Sequence, residues 1–247
     1  MEVLGIDIGG TGIKGAPVNT ETGALTAERL KIATPHPATP GAVTEVVGQI
    51  ADHFGWRGPV GVVFPGVVID GTVHTAANVD HGWLGQDAQE LFSKRIGSPA
   101  KVCNDADGAG LAEMRYGAGL GKAGVVIMVT LGTGIGSALF VNGVLVPNTE
   151  LGHLKIRGKD AERRASEIVR ENKHLSWHKW ADRLQEYFAE LDALFSPSLF
   201  IVGGGVSDKS GKFLPLIEGI RAPLVPAAEH NEAGIAGAAL YAETQQS

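Results

Sequence analysis

With 247 residues, 44% hydrophobic and 19% charged, the chain is long enough for one large α/β domain or two lobes, and its 35 glycines fit a turn-rich globular protein, which excludes a disordered or fibrous one. Its 21 basic and 27 acidic residues give a net charge of −6, so the overall field does not attract nucleic acid, and a polyanionic ligand needs a local basic patch. No apolar stretch approaches the roughly 20 residues of a spanning helix, and a single cysteine, Cys103, excludes an internal disulfide or a cysteine-rich zinc cage.

Met1-Glu2-Val3 leads directly into an apolar strand, without a basic, apolar, cleavable leader, so a cytoplasmic location is expected. Residues 3–18 predict a strand, the glycine turn Asp7-Ile-Gly-Gly-Thr-Gly, and a second strand from Ile13. Residues 44–54 predict a helix, 60–64 a short buried strand, and 105–116 a helix that opens with acidic residues. Residues 125–141 repeat the first hairpin around Thr130-Leu-Gly-Thr-Gly-Ile-Gly. Two copies, about half the chain apart, predict a duplicated domain with a ligand between similar lobes, and are too few for a solenoid. From 176 to 195, Trp177, Trp180, Leu184, Phe188, Leu191 and Phe195 recur at three- and four-residue spacing, so one helical face is buried as core or subunit contact. A strand at 199–202 enters Gly203-Gly-Gly-Val, and an alanine-rich helix at 233–242 closes the chain.

A glycine turn permits close backbone approach, so its N–H groups can converge on phosphate oxygens. Gly9, Gly10, Thr11 and Gly12 form one candidate cradle, with Lys14 just beyond it. Thr130, Gly132, Thr133, Gly134 and Gly136 form a second, and Gly203, Gly204 and Gly205 a third turn. Each hairpin run is followed by an apolar strand, which departs from the strand-to-helix setting of a dinucleotide fingerprint. One such hairpin alone reads equally as a tight turn. Asp7, directly before the first turn, is placed to hold Mg²⁺ through water beside phosphates or, on the plainer reading, to cap the turn.

Asn104-Asp105 sits between an apolar run and a helix, so its carboxylate projects from a strand end at a helix N-terminus, which favours the ionised form. In phosphoryl transfer an aspartate need only accept the proton of the attacking hydroxyl. The same residue types suit a helix cap, and both readings stand. Glu150-Leu-Gly-His153 offers a carboxylate and an imidazole to sugar hydroxyls, although His153 alone reads as an ordinary partly buried histidine. Asn78 offers an amide to a sugar or serves as a turn residue. Cys103 has no flanking sequence that argues for a thiolate and reads as a small apolar filler. His174 and His178, four apart, lack a further metal ligand and read as a solvated face.

Asp7-Ile-Gly-Gly-Thr-Gly, Asn104-Asp105-Ala-Asp, Leu131-Gly-Thr-Gly-Ile-Gly and Glu150-Leu-Gly-His together resemble the ROK family of bacterial sugar kinases, over nearly the whole chain. The stretches at 7–17, 75–79, 147–153 and 195–200 are similar to its polyphosphate glucokinase branch, including polyphosphate/ATP glucomannokinases. The resemblance implies an α/β, actin-like (ribonuclease H-like) duplicated fold. In it, residues 1–104 make a small lobe, completed by a C-terminal helix at 233–247, and residues 105–232 a large one. It also implies phosphoryl transfer from polyphosphate, and ATP, to the 6-hydroxyl of glucose, with mannose a second acceptor. Asp105 would be the base, and Asn78, Asn104, Asp105, Glu150 and His153 would hold the sugar. The turns at Gly9 and Gly132 would hold the donor, Gly203 and Gly204 its adenosine side, and Mg²⁺ would bridge donor oxygens. A homodimer without nucleic-acid or membrane partners is expected.

Many ROK kinases carry a Cys-x-Cys-Gly-x-x-Gly-Cys zinc segment after the Gly-His pair. Here that stretch is Lys155-Ile-Arg-Gly-Lys-Asp-Ala-Glu-Arg-Arg, so structural zinc is not expected, and a further sugar contact near Glu162 or Glu167 has no firm alignment. Sugar-sensing regulators of the family carry an added DNA-binding segment, and no helix-turn-helix or basic arm is evident here. Lys155, Arg157, Lys159, Arg163, Arg164, Arg170, Lys173 and Lys179 form a basic cluster that would suit a polyphosphate track. Interleaved Asp160, Glu162, Glu167 and Glu171 make a solvated surface the alternative.

Overall fold

The computed structural model describes residues 1–77, 79–229 and 232–244. The chain divides into two compact units, Met1–Ala112 with Asn231–Ser247, and Glu113–His230.

In the first unit β1 (Glu2–Ile8), β2 (Ile13–Asn19) and β3 (Leu30–Ile32) run antiparallel in succession. After α1 (Pro40–His53), β4 (Val60–Phe64) pairs parallel with β1. A small hairpin of β5 (Val68–Ile69) and β6 (Thr72–Val73), then α2 (Ala88–Ile96), lead to β7 (Ala100–Asn104), parallel to β4. The sheet order is β3-β2-β1-β4-β7. All of β4 is buried, as befits a central parallel strand covered on both faces. Val60, Val62 and Phe64 face the core under α1 and α2, where Trp83 packs edge-on against Phe64. The alternate residue Val63 faces the other side with Cys103. Helix α1 starts four residues before the expected position 44, because Thr39 accepts the Ala42 N–H and Pro40 suits a first helical turn. From β7 the chain enters α3 (Asp105–Tyr116).

The second unit repeats this plan. β8 (Val125–Leu131), β9 (Ile135–Val141) and β10 (Val144–Val146) run antiparallel. A two-stranded ribbon of β11 (Lys155–Ile156) and β12 (Lys159–Asp160) precedes α4 (Glu162–Ala165), α5 (Glu167–Asn172) and α6 (Trp177–Phe195). β13 (Leu199–Gly203) then pairs parallel with β8, and β14 (Leu224–Pro226) with β13. The order β10-β9-β8-β13-β14 matches the first sheet strand for strand, which is the duplication that the two glycine hairpins predict. Trp180, Leu184, Phe188 and Leu191 of α6 are fully buried, while Trp177 and Phe195 of the same stripe are half-buried at its ends.

Helix α7 (Ala233–Thr244) belongs to the first unit and packs on β1, β4 and β7. The approach is backbone to backbone: a Cβ at Gly61 would lie 1.7 Å from the Ala238 carbonyl oxygen. Among the described residues, no helix is long and apolar enough to cross a membrane.

Candidate active site

Parallel strands gather binding loops at their C-terminal ends, and in each unit the glycine turn lies at that end. In the first unit β1 runs into the turn 9–12 and β7 runs into Asp105. One strand, β4, separates β1 from β7, which places the turn and Asp105 on the same edge of the sheet, about 10 Å apart by strand spacing. Gly9 N–H closes the turn on the Gly12 carbonyl at 3.2 Å, and Thr34 donates its hydroxyl to the Gly9 carbonyl. Gly10 and Thr11 are exposed at its tip. Beneath it, burial pushes the Asp7 carboxyl above its ordinary pKa, an effect only partly offset by Lys14, whose Nζ lies 3.5 Å from Asp7 Oδ2.

The two readings of Asn104-Asp105 separate by residue. Asn104 is 6% exposed, and its Oδ1 accepts the N–H groups of Ala106 at 2.8 Å and Asp107 at 3.2 Å. Its Nδ2 donates to the Gly66 carbonyl at 3.1 Å. Asn104 therefore caps α3 and ties its start to the loop after β4. Asp105 stands one residue further on, exposed in the first turn of the helix. Cys103 is buried, and burial together with the charges of Asp107 and Asp105 pushes its thiol well up, so it remains protonated as a filler. Asn78 lies outside the described residues.

In the second unit the turn after β8 closes through Gly132 N–H to the Gly134 carbonyl at 3.1 Å, and the Gly132 carbonyl accepts from Ile168 N–H at 3.2 Å. Thr130 pairs in register with Gly203, and a Cβ at Gly204 would lie 2.3 Å from the Leu131 carbonyl oxygen. The turn at 203–205 thus crosses the end of β8 and brings Thr130, Gly132, Thr133, Gly134, Gly203 and Gly204 together. Glu150 precedes and His153 ends a short helical turn, Leu151–His153, pinned by Leu151 N–H to Ser137 Oγ at 2.9 Å. His153 stands between two carboxylates, with Nε2 3.6 Å from Glu150 and Nδ1 3.8 Å from Glu162. Burial raises the Glu150 carboxyl pKa, His153 pulls it back, and Glu162 adds to the rise. Glu162, which sequence could not align, thus joins this group through the ribbon and α4.

Five of the eight cations of the basic cluster are paired, and they share three carboxylates. Lys155 and Arg163 pair with Asp160, Arg157 and Arg164 with Glu186 on α6, and Arg170 with Glu171 while stacking on Trp177. Glu186 was not among the interleaved acids visible in the local sequence. Among the described residues, no group of three or more His, Cys, Asp or Glu side chains could hold a metal ion.

A family model described as ROK family matches residues 3–166. The chain belongs to the ROK family. Among ROK proteins, the polyphosphate glucokinase of Mycobacterium tuberculosis is 50% identical over 238 residues, which cover 96% of this chain and 89% of that protein. The structure of the inorganic polyphosphate/ATP-glucomannokinase from Arthrobacter sp. strain KM matches with a TM-score of 0.94 and 51% identity, over 99% of each chain. A ROK family glucokinase from Streptomyces griseus, in complex with glucose and AMPPNP, matches with a TM-score of 0.84 and 28% identity, over 99% of this chain and 100% of that one. The fold is the actin-like, duplicated fold of the ROK sugar kinases.

Proposed function

We propose that this ROK protein is a polyphosphate-dependent glucokinase. It transfers a phosphoryl group from inorganic polyphosphate, and from ATP, to the 6-hydroxyl of glucose, with mannose as a second acceptor. The observation that carries this reading is 50% identity, over 96% of the chain, to a polyphosphate glucokinase. ATP and mannose are drawn from the glucomannokinase match.

In the reaction, Asp105 accepts the proton of the sugar's 6-hydroxyl as the new O–P bond forms and the bond to the donor's next phosphate breaks. The donor leaves one phosphate shorter, or as ADP. Asn104 fixes the helix entry, so the base keeps its position relative to β7. Asn78, Asn104, Glu150 and His153 take the sugar's hydroxyls, and the flanking carboxylates orient the His153 ring. Backbone N–H groups of the turns 9–12 and 132–134, with Lys14 and Thr130, take the donor phosphates, and Gly203 and Gly204 the nucleoside side of ATP. Asp7, at the foot of the turn 9–12, is the residue that would hold Mg²⁺, through water. Bound there, the ion would neutralise charge developing on the donor.

A coupled assay of glucose 6-phosphate formation, run with polyphosphate and with ATP, tests the reading. Product from polyphosphate is expected. Glucose binding without product from either donor would refute it in favour of a sugar-sensing regulator.

A further inference from the structure

The first sheet sets three charged side chains in a row beside the turn 9–12. In the β1–β2 pairing Asp7 stands opposite Lys14, and in the β2–β3 pairing Lys14 stands opposite Lys31. Residues directly opposite in antiparallel strands share a face and lie about 5 Å apart. One acidic position is therefore followed, in line, by two basic ones. Asp7 pairs with Lys14, and among the described residues no carboxylate pairs with Lys31. Like charges placed opposite each other weaken a sheet, so an anion lying over the row would relieve a strain that the fold otherwise carries.

The stem of Lys31 also lies over the turn itself. A Cβ at Gly12 would come within 2.5 Å of Lys31 Cε. The lysine chain uses the space that glycine leaves. A lysine on an edge strand does discourage unwanted strand pairing, yet any outward position on β3 would serve that end. Neither the opposition to Lys14 nor the contact over Gly12 follows from it.

The strand order supplies a direction. Asp105 follows β7, the turn joins β1 to β2, and Lys31 lies on β3 at the opposite edge of the sheet. At the usual strand spacing, β1 is about 10 Å from β7 and β3 about 19 Å. A nucleotide donor presents three phosphates before its nucleoside, whereas a polymer continues outward. We propose that Lys31 is a donor-selective binding residue: it holds phosphates of a linear polyphosphate chain beyond those that the turn 9–12 and Lys14 take, and adds little to the binding of ATP. This rests on the reading of the chain as a polyphosphate glucokinase.

The test compares the full-length wild type with Lys31→Met, Lys31→Arg and Lys94→Gln. The last removes one positive charge from the exposed face of α2. Glucose 6-phosphate formation is followed with long-chain polyphosphate and with ATP over a series of salt concentrations, and thermal melts check that each variant folds. In Lys31→Met the KM for polyphosphate should rise about fivefold, the worth of one exposed ion pair, while that for ATP changes by less than about twofold. The slope of log KM for polyphosphate against log salt should flatten by about 0.7, the loss of one phosphate contact. Lys31→Arg should restore both, and Lys94→Gln should reproduce neither. Equal shifts for the two donors, or an unchanged salt slope, would overturn the assignment while wild-type turnover of polyphosphate leaves the glucokinase reading intact. Absence of that turnover in the wild type would overturn both.

Discussion

Replacing Asp105 by Asn separates chemistry from architecture. The Asp105 Oδ1 accepts the Ala106 N–H at 2.8 Å, and an asparagine keeps an oxygen there. Capping of α3 rests on Asn104 and is untouched. What the variant loses structurally is one negative charge in the first turn of α3, worth about 0.3–1 kcal/mol. In a chain of this size that lowers the melting temperature by at most about 2–4 °C. Loss of a general base lowers turnover by about 10²–10⁴, equivalent to about 2.7–5.5 kcal/mol of barrier. The kinetic loss therefore exceeds the stability loss several-fold and cannot arise from unfolding. Steady-state kinetics at saturating donor, with calorimetric titration of glucose, should show the fall in kcat alongside near-native sugar affinity. A kcat within about tenfold of wild type would refute the role of Asp105.

Asp7→Asn should change stability with pH in a defined sense. Burial raises the folded-state pKa of Asp7, so below both pKa values the group is protonated folded or unfolded and contributes no difference. Above the folded value the native state bears the cost of ionisation. The variant should therefore gain stability in urea titrations at neutral pH but not in acid, while losing activity; an equal gain at both would refute the burial argument. Gly61→Ala sets a methyl against the Ala238 carbonyl and should lower stability by about 3 kcal/mol. A change under about 1 kcal/mol in denaturant titration would mean that α7 can lift away from β4 at little cost. Wild-type KM for polyphosphate should rise much more steeply with salt than KM for ATP, because a longer donor meets more cations and releases more counterions. Parallel salt dependences would argue against an extended phosphate track.

The parts legible in the sequence were those carried by local chemistry. Asp7 to Gly12 and Thr130 to Gly136 announce their turns by glycine between apolar runs, and the period of α6 by its aromatic stripe. Helix α2 has a weak sequence signal because only Ala88, Phe92 and Ile96 are buried on it, although Asp87 accepting from Glu90 N–H and the left-handed Gly97 mark its two ends. The dual reading of Asn104-Asp105 could not be divided without geometry, since both residues suit a cap and only the fold shows which carbonyl and which N–H groups Asn104 reaches. Pairings across sequence distance were hidden altogether. The basic run at 155–179 has a partner that the local sequence does not show, because Glu186 of α6 pairs with both Arg157 and Arg164. Lys31 looks like an ordinary surface lysine until a three-residue strand sets it against Lys14.

The seating of α7 on β4 has a consequence for how the protein is made. During synthesis β1 to β7 leave the ribosome well before Ala233–Thr244 exists; at about 5–20 residues per second the interval is of order ten seconds. For that time the backbone around Gly61 lacks the close partner it has in the finished fold, the backbone of α7 at Ala238. The half that is translated first is therefore finished last, and a nascent chain stalled before α7 would lack the helix that closes on Gly61.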